Sequence, residues 1–323
     1  MPLALPTLDE IRDARARIAG TAMRTPLARL GGGRRDLEIF LKLETQQPIR
    51  SFKLRGAANA MALTSEEALD KGVWTASAGN MAQGVAWCAR ARGINCSVVV
   101  PDHAPRNKVE AVEKLGGTVI KVPFAEWWEA LTSGRFAGQH GLYVHPFADT
   151  AVMAGNGTIA LEILDDMKVV DAILVPYGGG GLACGIAVAA KAIDPKIKVY
   201  AIEVETAAPL TASIAAGAPV TIEYQRSFVD GIGSGGISPL MWPFVRQLLS
   251  GTIVVPIADV AAAIKMLSDE HGIVAEGAAG APVAAALALA EGGTSGFDRV
   301  ACIVSGGNID KDVHAAIVRG EVP

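Results

Sequence analysis

A chain of 323 residues, half of them hydrophobic, can bury most of its apolar surface without disulfides or structural metal ions. Its formal net charge is −4, with acidic and basic residues scattered along the sequence, which offers no basic stripe for nucleic acid and no polybasic anchor for a membrane. No segment approaches ~18 consecutive apolar residues, and the start of the chain lacks the pattern of a signal peptide, so a soluble cytoplasmic protein is expected.

The chain has four cysteines and five histidines. The cysteines show no CxxC spacing and lie in apolar or helical surroundings, so buried free thiols in a reducing cytoplasm are expected. The histidines form neither an HExxH motif nor a pattern with paired cysteines, and a zinc site is therefore not expected. The cysteines are Cys88, Cys96, Cys184 and Cys302.

Helical spacing of apolar residues predicts a first helix over residues 8–19. A charged surface turn is expected at 64–71, and a loop-rich segment at 136–149. Elsewhere, short apolar runs alternate with helical patterns. The predicted strands are 39–44, 73–77, 96–100, 118–122, 170–175, 198–203 and 299–304.

Strands that alternate with helices imply right-handed crossovers and a doubly wound parallel sheet, and hence an α/β fold. The run at 170–175 is apolar throughout, as in a parallel sheet that is buried on both faces. The predicted helices after the first are 57–63, 85–93, 106–115, a short one at Trp127–Trp128, 154–167, 182–192, 260–268 and 278–290.

One lysine stands at the entrance to a helical pattern, in the segment Ser51–Ala57. Its neighbours Phe52 and Leu54 are apolar, and partial desolvation lowers the pKa of an amine and makes it a nucleophile toward carbonyls. Lys53 is therefore a candidate catalytic residue. An ordinary solvated lysine is the alternative that this segment alone leaves open.

Four consecutive glycines, Gly178–Gly181, lie between the strand at 170–175 and a helix. In open α/β sheets, ligands bind beyond the carboxyl ends of strands, and the N–H groups of such a turn form a cradle for phosphate. With Leu182 and Ala183 the turn also fits G-x-G-x-x-G/A, and Glu203 ends the next strand about 20 residues further on. A NAD-linked oxidoreductase and a plain connector are therefore alternatives on this motif.

Two polar residues follow strands in the same way. Asn80 lies on a strand-to-helix turn, where its amide could donate to a ligand oxygen or cap the helix. Ser305 follows the last predicted strand, and its hydroxyl could bond a ring nitrogen or cap the next segment of the chain. Neither residue is decisive alone.

Four ordered segments together resemble the fold-type II pyridoxal-phosphate enzymes, and within them the threonine dehydratase and serine racemase group. The resemblance covers nearly the whole chain and is more specific than one glycine motif. It implies pyridoxal 5'-phosphate as the cofactor. The four segments are Ser51–Ala57, Ser77–Asn80, Gly178–Leu182 and Ser305–Asn308, with further likeness at 145–147, 154–162 and 276–280.

The resemblance implies two doubly wound parallel-sheet domains of the tryptophan synthase β kind. The large, cofactor-binding domain would comprise residues 1–70 and 151–323, and the small domain with the asparagine loop residues 71–150. Enzymes of the group are commonly homodimers, so a homodimer acting on a small amino acid is expected.

The resemblance also implies a role for each motif. Lys53 would be the Schiff-base lysine and the base that acts at the substrate α-carbon. Phe52 would lie against the pyridine ring, Asn80 would bond the phenolic oxygen, and Ser305 would meet the pyridine nitrogen. Backbone N–H groups would hold the phosphate at Gly178, Gly179, Gly180, Gly181 and Leu182.

A hydroxyl at Ser305 would leave the pyridine nitrogen essentially neutral, whereas a carboxylate would keep it protonated. The weaker electron sink suits loss of a β-leaving group soon after the α-proton. The resemblance thus implies a lyase of amino acid catabolism, a dehydratase that converts a β-hydroxy amino acid such as threonine or serine to a 2-oxo acid and ammonia. β-Replacement and racemisation are the alternatives.

The asparagine loop departs from the group's pattern at two positions. Serine racemases carry a second serine where this chain has Ala78, which argues against racemisation. Met81 replaces the usual histidine, so either the β-substituent is more apolar than that of threonine, as in phenylserine, or Met81 faces the core. Substrate contacts are expected at Ser77, Ala78, Gly79, Met81 and Gln83.

Glu203 and Ala207 match positions where relatives bind a cation, but Pro209 stands where a third, acidic ligand is expected. A proline side chain cannot coordinate a hard cation, so no metal site is predicted. The glycine-rich segment 228–236 is expected either to close over the substrate or to be a surface loop.

Overall fold

The computed structural model of the protein describes residues 3–31, 37–292 and 296–323. Within these ranges the strands form two sheets, and all neighbouring strands are parallel except β1 and β2. The larger sheet has the order β1 (Leu27–Arg29), β2 (Glu38–Leu43), β10 (Arg299–Val304), β7 (Ala172–Pro176), β8 (Lys198–Val204), β9 (Gly251–Val255), and the smaller β5 (Thr118–Val122), β4 (Cys96–Pro101), β3 (Val73–Ala76), β6 (Leu142–Tyr143).

Helices cover both faces of these sheets. Some of their ends carry ordinary capping signals: the first helix has a capping box between Thr7 and Glu10, and a left-handed Gly93 ends the fourth. The helices are α1 (Leu8–Arg17), α2 (Lys53–Ala62), α3 (Glu66–Leu69), α4 (Asn80–Arg92), α5 (Arg106–Lys114), α6 (Phe124–Ser133), α7 (Thr150–Asp166), α8 (Gly181–Ile193), α9 (Pro209–Ala216), α10 (Trp242–Leu248), α11 (Ile257–His271), α12 (Gly277–Glu291) and α13 (Lys311–Val318).

The larger sheet has an apolar core on each face. On β7, Ile173 and Val175 belong to the core that contains α7 and α8, whereas Leu174 belongs to the core that contains α11 and α12. All five residues of β7 are buried, and each large aliphatic side chain buried in this way contributes about 1.5–3 kcal/mol. This double burial explains the uninterrupted apolar run in the sequence.

The smaller sheet is also covered on both faces. On β4, Val98 and Val100 pack with α2 and α4, and Val99 packs with α6. All four strands of this sheet lie within residues 71–150. Helix α2 packs in the core of the smaller sheet, although its residues fall within the predicted large domain. The predicted domain limits themselves stay a prediction.

Most predicted elements lie where the sequence patterns put them, and the α/β class is confirmed. The helix of the lysine segment begins at Lys53, four residues before the predicted start at 57, and the predicted surface turn at 64–71 contains α3. Elements that the patterns did not predict include β1, β6, β9, α9, α10 and α13.

The four cysteines are buried free thiols, as predicted. In the described part of the chain, no helix combines the length and the apolar character that crossing a lipid bilayer requires.

Candidate active site

A cavity of about 430 Å³ opens where the strands of both sheets end, a size ordinary for a ligand pocket. Segments that follow β3, β4, β7 and β10 line it, as the rule for open α/β sheets predicts. The cavity brings together every predicted cofactor and substrate contact: Phe52, Lys53, Ser77, Ala78, Gly79, Asn80, Met81, Gln83, Gly178, Gly179, Gly180, Gly181, Leu182 and Ser305.

Lys53 presents its amine at this cavity from the first position of α2. Its Nζ donates a 2.6 Å hydrogen bond to the carbonyl oxygen of Pro146. Desolvation lowers the pKa of Lys53 to about 8, although the negative charge of Glu276 acts in the opposite direction. An appreciable share of this amine is therefore neutral near neutral pH, the form that attacks carbonyl carbons.

The main chain ties the lysine segment to the last strand of the larger sheet. The N–H of Phe52 donates to the carbonyl oxygen of Ser305 at 3.0 Å, and Ser51 forms a β-bridge with Gly306. The Phe52 ring lies beside the amine, with 5.2 Å between Lys53 Nζ and the ring centroid. These main-chain contacts hold Ser305, which follows β10, next to the segment that carries Lys53 at the start of α2.

The glycine turn is shaped by close packing against Phe147. A Cβ on Gly179 would overlap the Phe147 ring, and a Cβ on Gly181 would lie 2.5 Å from the Phe147 carbonyl oxygen. Gly180 has a φ of +88°, in the left-handed region that favours glycine. The turn enters α8 at Gly181, where the first N–H groups of a helix have no intrahelical partner.

His145 holds the segment that carries Pro146 and Phe147. Its Nδ1 accepts hydrogen bonds from the N–H groups of Phe147 and Ala148, at 3.2 and 3.0 Å. Burial lowers the pKa of His145 to about 4, and the nearby positive charge of Lys53 adds to that effect. The imidazole is therefore neutral at neutral pH, and its role here is to shape the loop that supports both the amine and the glycine turn.

Asn80 does not cap α4 with its side chain. Its Nδ2 donates to both carboxylate oxygens of Glu276, at 2.8 and 3.1 Å, and its Oδ1 accepts from Asn308 Nδ2 at 2.8 Å. Burial raises the pKa of the Glu276 carboxyl, an effect that the hydrogen bond from Asn80 opposes. The predicted contact of Asn80 with a cofactor oxygen stays a prediction.

Sequence reasoning missed Glu276 and Asn308 as residues of the site, although both lie in segments that carried the resemblance. Glu276 precedes α12 at the N-cap position, where a carboxylate is common for purely local reasons. A single acidic residue before a helix therefore gives no signal of a site.

Met81 lines the cavity, yet it is only 1% exposed and belongs to the apolar core under the smaller sheet. This placement favours the alternative in which Met81 serves the core rather than an apolar substrate group. Ser77 shapes the same loop, because its Oγ accepts a 3.2 Å hydrogen bond from the N–H of Gly79.

A buried ionic network fixes α2 behind the lysine. The Arg55 guanidinium donates to both oxygens of Glu44, each at 2.8 Å, and to both oxygens of Glu162, at 2.6 and 2.9 Å. Lys42 Nζ donates to Glu162 at 2.6 Å. Burial raises the pKa of Glu162, but the hydrogen bonds and charges of Arg55 and Lys42 outweigh it and lower that pKa. Two cations balance two carboxylates.

Glu203, the candidate ribose-binding or cation-binding acid, caps α9. Its carboxylate accepts from the N–H groups of Leu210 and Thr211, at 2.7 and 2.8 Å, and from the Thr211 hydroxyl at 2.6 Å. Ala207 donates its N–H to the Val204 carbonyl oxygen. Neither Glu203 nor Ala207 is among the residues that line the 430 Å³ cavity.

The segment 228–236 borders the cavity through Asp230, Gly231 and Ile232. Asp230 forms an ion pair with Lys108 on α5, which joins this segment to the layer of the smaller sheet. Closure of the segment over a substrate stays a prediction.

A glycine turn and an amine with a lowered pKa that share one cavity are typical of α/β enzymes that bind a phosphorylated cofactor, and comparison with known families indicates the same class. The model of the family described as pyridoxal-phosphate dependent enzyme matches residues 18–306, and the chain belongs to that family. The predicted cofactor, pyridoxal phosphate, and the predicted fold-type II architecture are thereby confirmed. The dinucleotide alternative has no support from these comparisons.

The chain is 38% identical over 321 residues to the L-threonine ammonia-lyase of Thermotoga maritima, covering 97% of this chain and 78% of that one. It resembles the solved structure of maize serine racemase, with a TM-score of 0.89, 34% identity and 96% of each chain covered. It also resembles the processed form of threonine deaminase isoform 2 from Solanum lycopersicum, with a TM-score of 0.88, 32% identity and coverage of 99% and 92%.

The residues present fit the cofactor. The glycine turn lines the cavity with its backbone, because close packing against Phe147 leaves no room for side chains at Gly179 and Gly181. The first N–H groups of α8, which begins at this turn, have no intrahelical partner and can bind a phosphate. The partly neutral Lys53 amine lines the same cavity, as attachment of an aldehyde requires. Gly178, Gly179, Gly180, Gly181 and Leu182 would hold the phosphate, and Lys53 the aldehyde.

Proposed function

We propose that this protein is a pyridoxal-phosphate-dependent dehydratase that converts a β-hydroxy amino acid to a 2-oxo acid and ammonia by α,β-elimination of water. The observation that carries the proposal is the shared cavity of the desolvated Lys53 amine and the glycine turn Gly178–Gly181. The substrate class is that of threonine, serine and bulkier relatives such as phenylserine. The 38% identity to an L-threonine ammonia-lyase supports the reaction type.

Pyridoxal phosphate, when bound, supplies the electron sink that makes the α-hydrogen of an amino acid acidic. Lys53, with a pKa of about 8, is suited to take that proton at its Nζ and to return it. The Pro146 carbonyl oxygen accepts from the same Nζ and so fixes the direction of the amine. Ser305, buried at the end of β10, offers a hydroxyl rather than a carboxylate to the cavity, which favours elimination over transamination.

Racemisation is the second candidate, because the chain also resembles serine racemases. A racemase needs a proton donor and acceptor on each face of the α-carbon. Ala78 lines the cavity with no group that can exchange a proton, which favours the dehydratase. β-Replacement is the third candidate and has no specific observation in its favour.

The test is release of 2-oxo acid and ammonia by the holoenzyme across a panel of β-hydroxy amino acids, with chiral analysis of the remaining substrate. Lys53→Ala should lose activity by about 10²–10⁴-fold or more. It should also lose borohydride-stable attachment of pyridoxal phosphate, which peptide mass spectrometry locates. Lys71→Ala, at an exposed lysine, is the matched control. Inverted substrate without 2-oxo acid would establish the racemase instead.

We further propose that the protein is a cytoplasmic homodimer, on the strength of its four free thiols and of the resemblance to commonly dimeric enzymes. Light scattering coupled to size-exclusion chromatography measures the assembly directly. A mass near 33.4 kDa would be that of one chain and would contradict the dimer.

A further inference from the structure

Aromatic residues are scarce in this chain, at 5% of the sequence, yet three of them fall within the five residues 124–128. All three lie on α6, which follows the last long strand of the smaller sheet. Phe124 is 53% exposed and Trp128 is 51% exposed, so burial in the core does not account for them. Phe124 and Trp127 line the 430 Å³ cavity.

The three rings form one continuous surface. The ring centroids of Phe124 and Trp127 are 5.4 Å apart, those of Phe124 and Trp128 are 6.3 Å apart, and those of the two tryptophans are 6.1 Å apart. Trp127 also packs against the apolar cluster that contains Trp74 and Leu131. One face of this cavity is therefore a supported aromatic wall, here defined as Phe124 and Trp127.

The wall contains one donor without a partner. The Nε1 of Trp127 is buried and has no hydrogen-bond partner among the described residues. A buried donor left unpaired costs about 1–3 kcal/mol, and Tyr and Trp usually satisfy theirs. Because this N–H has no accessible surface, the part of Trp127 that a molecule in the cavity can contact is its ring, which the Trp74 and Leu131 cluster supports.

The other candidates for selecting a substrate side chain are weaker. Met81 belongs to the core of the smaller sheet. Among the cations that line the cavity, Lys108 is paired with Asp230, and Arg226 is an exposed side chain. Small apolar residues, Pro101, Ala104 and Pro105, line the same cavity. An uncharged, flat group suits these surroundings best.

We propose that Phe124 and Trp127 are specificity-determining residues that pack against an aryl substituent on the β-carbon of the amino acid substrate. The inference rests on the proposed function for the nature of the substrate and assigns its side chain. Aromatic pairs prefer tilted or offset arrangements, and the two wall rings are themselves tilted by 43° with their centroids 5.4 Å apart.

The test measures binding separately from elimination. Phenylalanine and alanine carry no β-hydroxyl and cannot lose water, so their dissociation constants on the holoenzyme report only the preference for the side chain. Calorimetric titration with each enantiomer should show phenylalanine bound about tenfold more tightly than alanine, as one good aromatic contact provides. Phe124→Ala and Trp127→Ala should remove most of that ratio and leave the affinity for alanine within about threefold.

Trp128→Ala is the matched control, because it removes an aromatic ring from the same helix at a position that does not line the cavity. It should keep the wild-type ratio. Trp127→Phe, which keeps a ring and removes the N–H, should keep most of it. Because Phe124 is half exposed, Phe124→Ala should fold even if Trp127→Ala does not, and circular dichroism checks both.

Equal binding of phenylalanine and alanine by the wild type would overturn the inference. It would also be overturned if Trp128→Ala lost the preference for phenylalanine as fully as Phe124→Ala and Trp127→Ala do. Tighter binding of aspartate than of phenylalanine would also overturn it, since Arg226 would then dominate. If no β-hydroxy amino acid yields a 2-oxo acid but the phenylalanine preference and its loss in Phe124→Ala hold, the proposed reaction fails and the aromatic wall stands. If elimination proceeds without any aryl preference, only the wall fails.

Discussion

The Asn80 amide donates hydrogen bonds to both carboxylate oxygens of Glu276, at 2.8 and 3.1 Å, and so joins the first turn of α4 to the start of α12. One residue lies in the layer of the smaller sheet and the other in that of the larger sheet. The contact holds a carboxylate near the Lys53 amine, where its charge raises the pKa of that amine against the larger effect of desolvation.

The reactivity of Lys53 in the apoprotein should depend on pH with a midpoint of about 8, rather than the ordinary 10.5. Below pH 8 the amine is mostly protonated and unreactive, and above it the neutral form predominates. Glu276→Gln removes the charge that raises this pKa, so the midpoint should move below 8. Reductive methylation followed by peptide mass spectrometry measures the rate at each pH, with the exposed Lys71 as an internal reference. An unchanged midpoint in the variant would contradict the assigned role of Glu276.

Gly179→Ala should weaken the binding of pyridoxal phosphate, because its methyl group would overlap the Phe147 ring and displace the glycine turn. Overpacking of this kind costs about 1–3 kcal/mol, or roughly 5- to 150-fold in affinity. Phe147→Ala removes the overlapping ring atoms, so the double variant should recover part of the loss. Fluorescence titration of the apoproteins gives the four affinities.

Gly31→Ala is the control for that series, since its Cβ would meet only His271 Cε1, at an ordinary 3.8 Å. Strictly additive effects of Gly179→Ala and Phe147→Ala would mean that the two positions do not interact, contrary to the close packing of the glycine turn against Phe147.

Arg55→Met should destabilise the protein by about 3–5 kcal/mol, because it leaves Glu44 and Glu162 buried without their principal partner. Arg12→Met removes an exposed pair with Asp9 and should cost less than about 1 kcal/mol. Urea unfolding followed by circular dichroism compares both with the wild type. A loss for Arg55→Met no larger than that for Arg12→Met would show that the network contributes little.

The stability difference between the wild type and Arg55→Met should depend on pH. The pKa of Glu162 is lowered in the folded protein, so its contribution to stability is present above the ordinary value of 4.5 and disappears as pH falls through the folded pKa. The stability difference between wild type and Arg55→Met should therefore be largest near neutral pH and shrink in acid. A difference that grows below pH 4.5 would have the wrong sign.

All four thiols should resist modification in the native protein. Burial raises the pKa of Cys88, Cys96 and Cys184 to about 12 and raises that of Cys302 as well, so little thiolate is present at pH 8. Titration with a chromogenic disulfide reagent should detect no rapidly reacting thiol in buffer and four reactive thiols in concentrated urea. A rapid native reaction would identify a thiol that is less well buried.

Much of the site could be predicted because each cofactor motif is local. Gly178–Gly181 follows a buried strand directly, and the lysine segment opens a helix, so short stretches of sequence carry both signals. The environment of Met81 could not be predicted, since the residue after Asn80 faces a cavity or a core according to the packing of α4. The partners Glu276 and Asn308 are far from Asn80 in sequence, and no local pattern relates them.

The strands that escaped prediction carry too few apolar residues to show a pattern. β1 and β6 have three and two residues, too few to display a two-residue period. β9 has only three consecutive apolar residues, Ile253, Val254 and Val255, before Pro256, which is too short a run to distinguish a strand from a loop. The aromatic residues of α6 suggest only packing, because the sequence does not distinguish a ring that fills a core from one that lines a cavity.

The position of β10 between β2 and β7 bears on how the protein is made. β10 is the last strand of its sheet to leave the ribosome, yet it occupies an interior position, and Phe52 bonds to the residue that follows it. Until about residue 305 has been synthesised, β2 and β7 each present an unpaired edge that can associate with other chains. Nascent chains of this protein should therefore need protection until β10 has been synthesised, and fragments that end before residue 299 should aggregate rather than retain a working cofactor pocket.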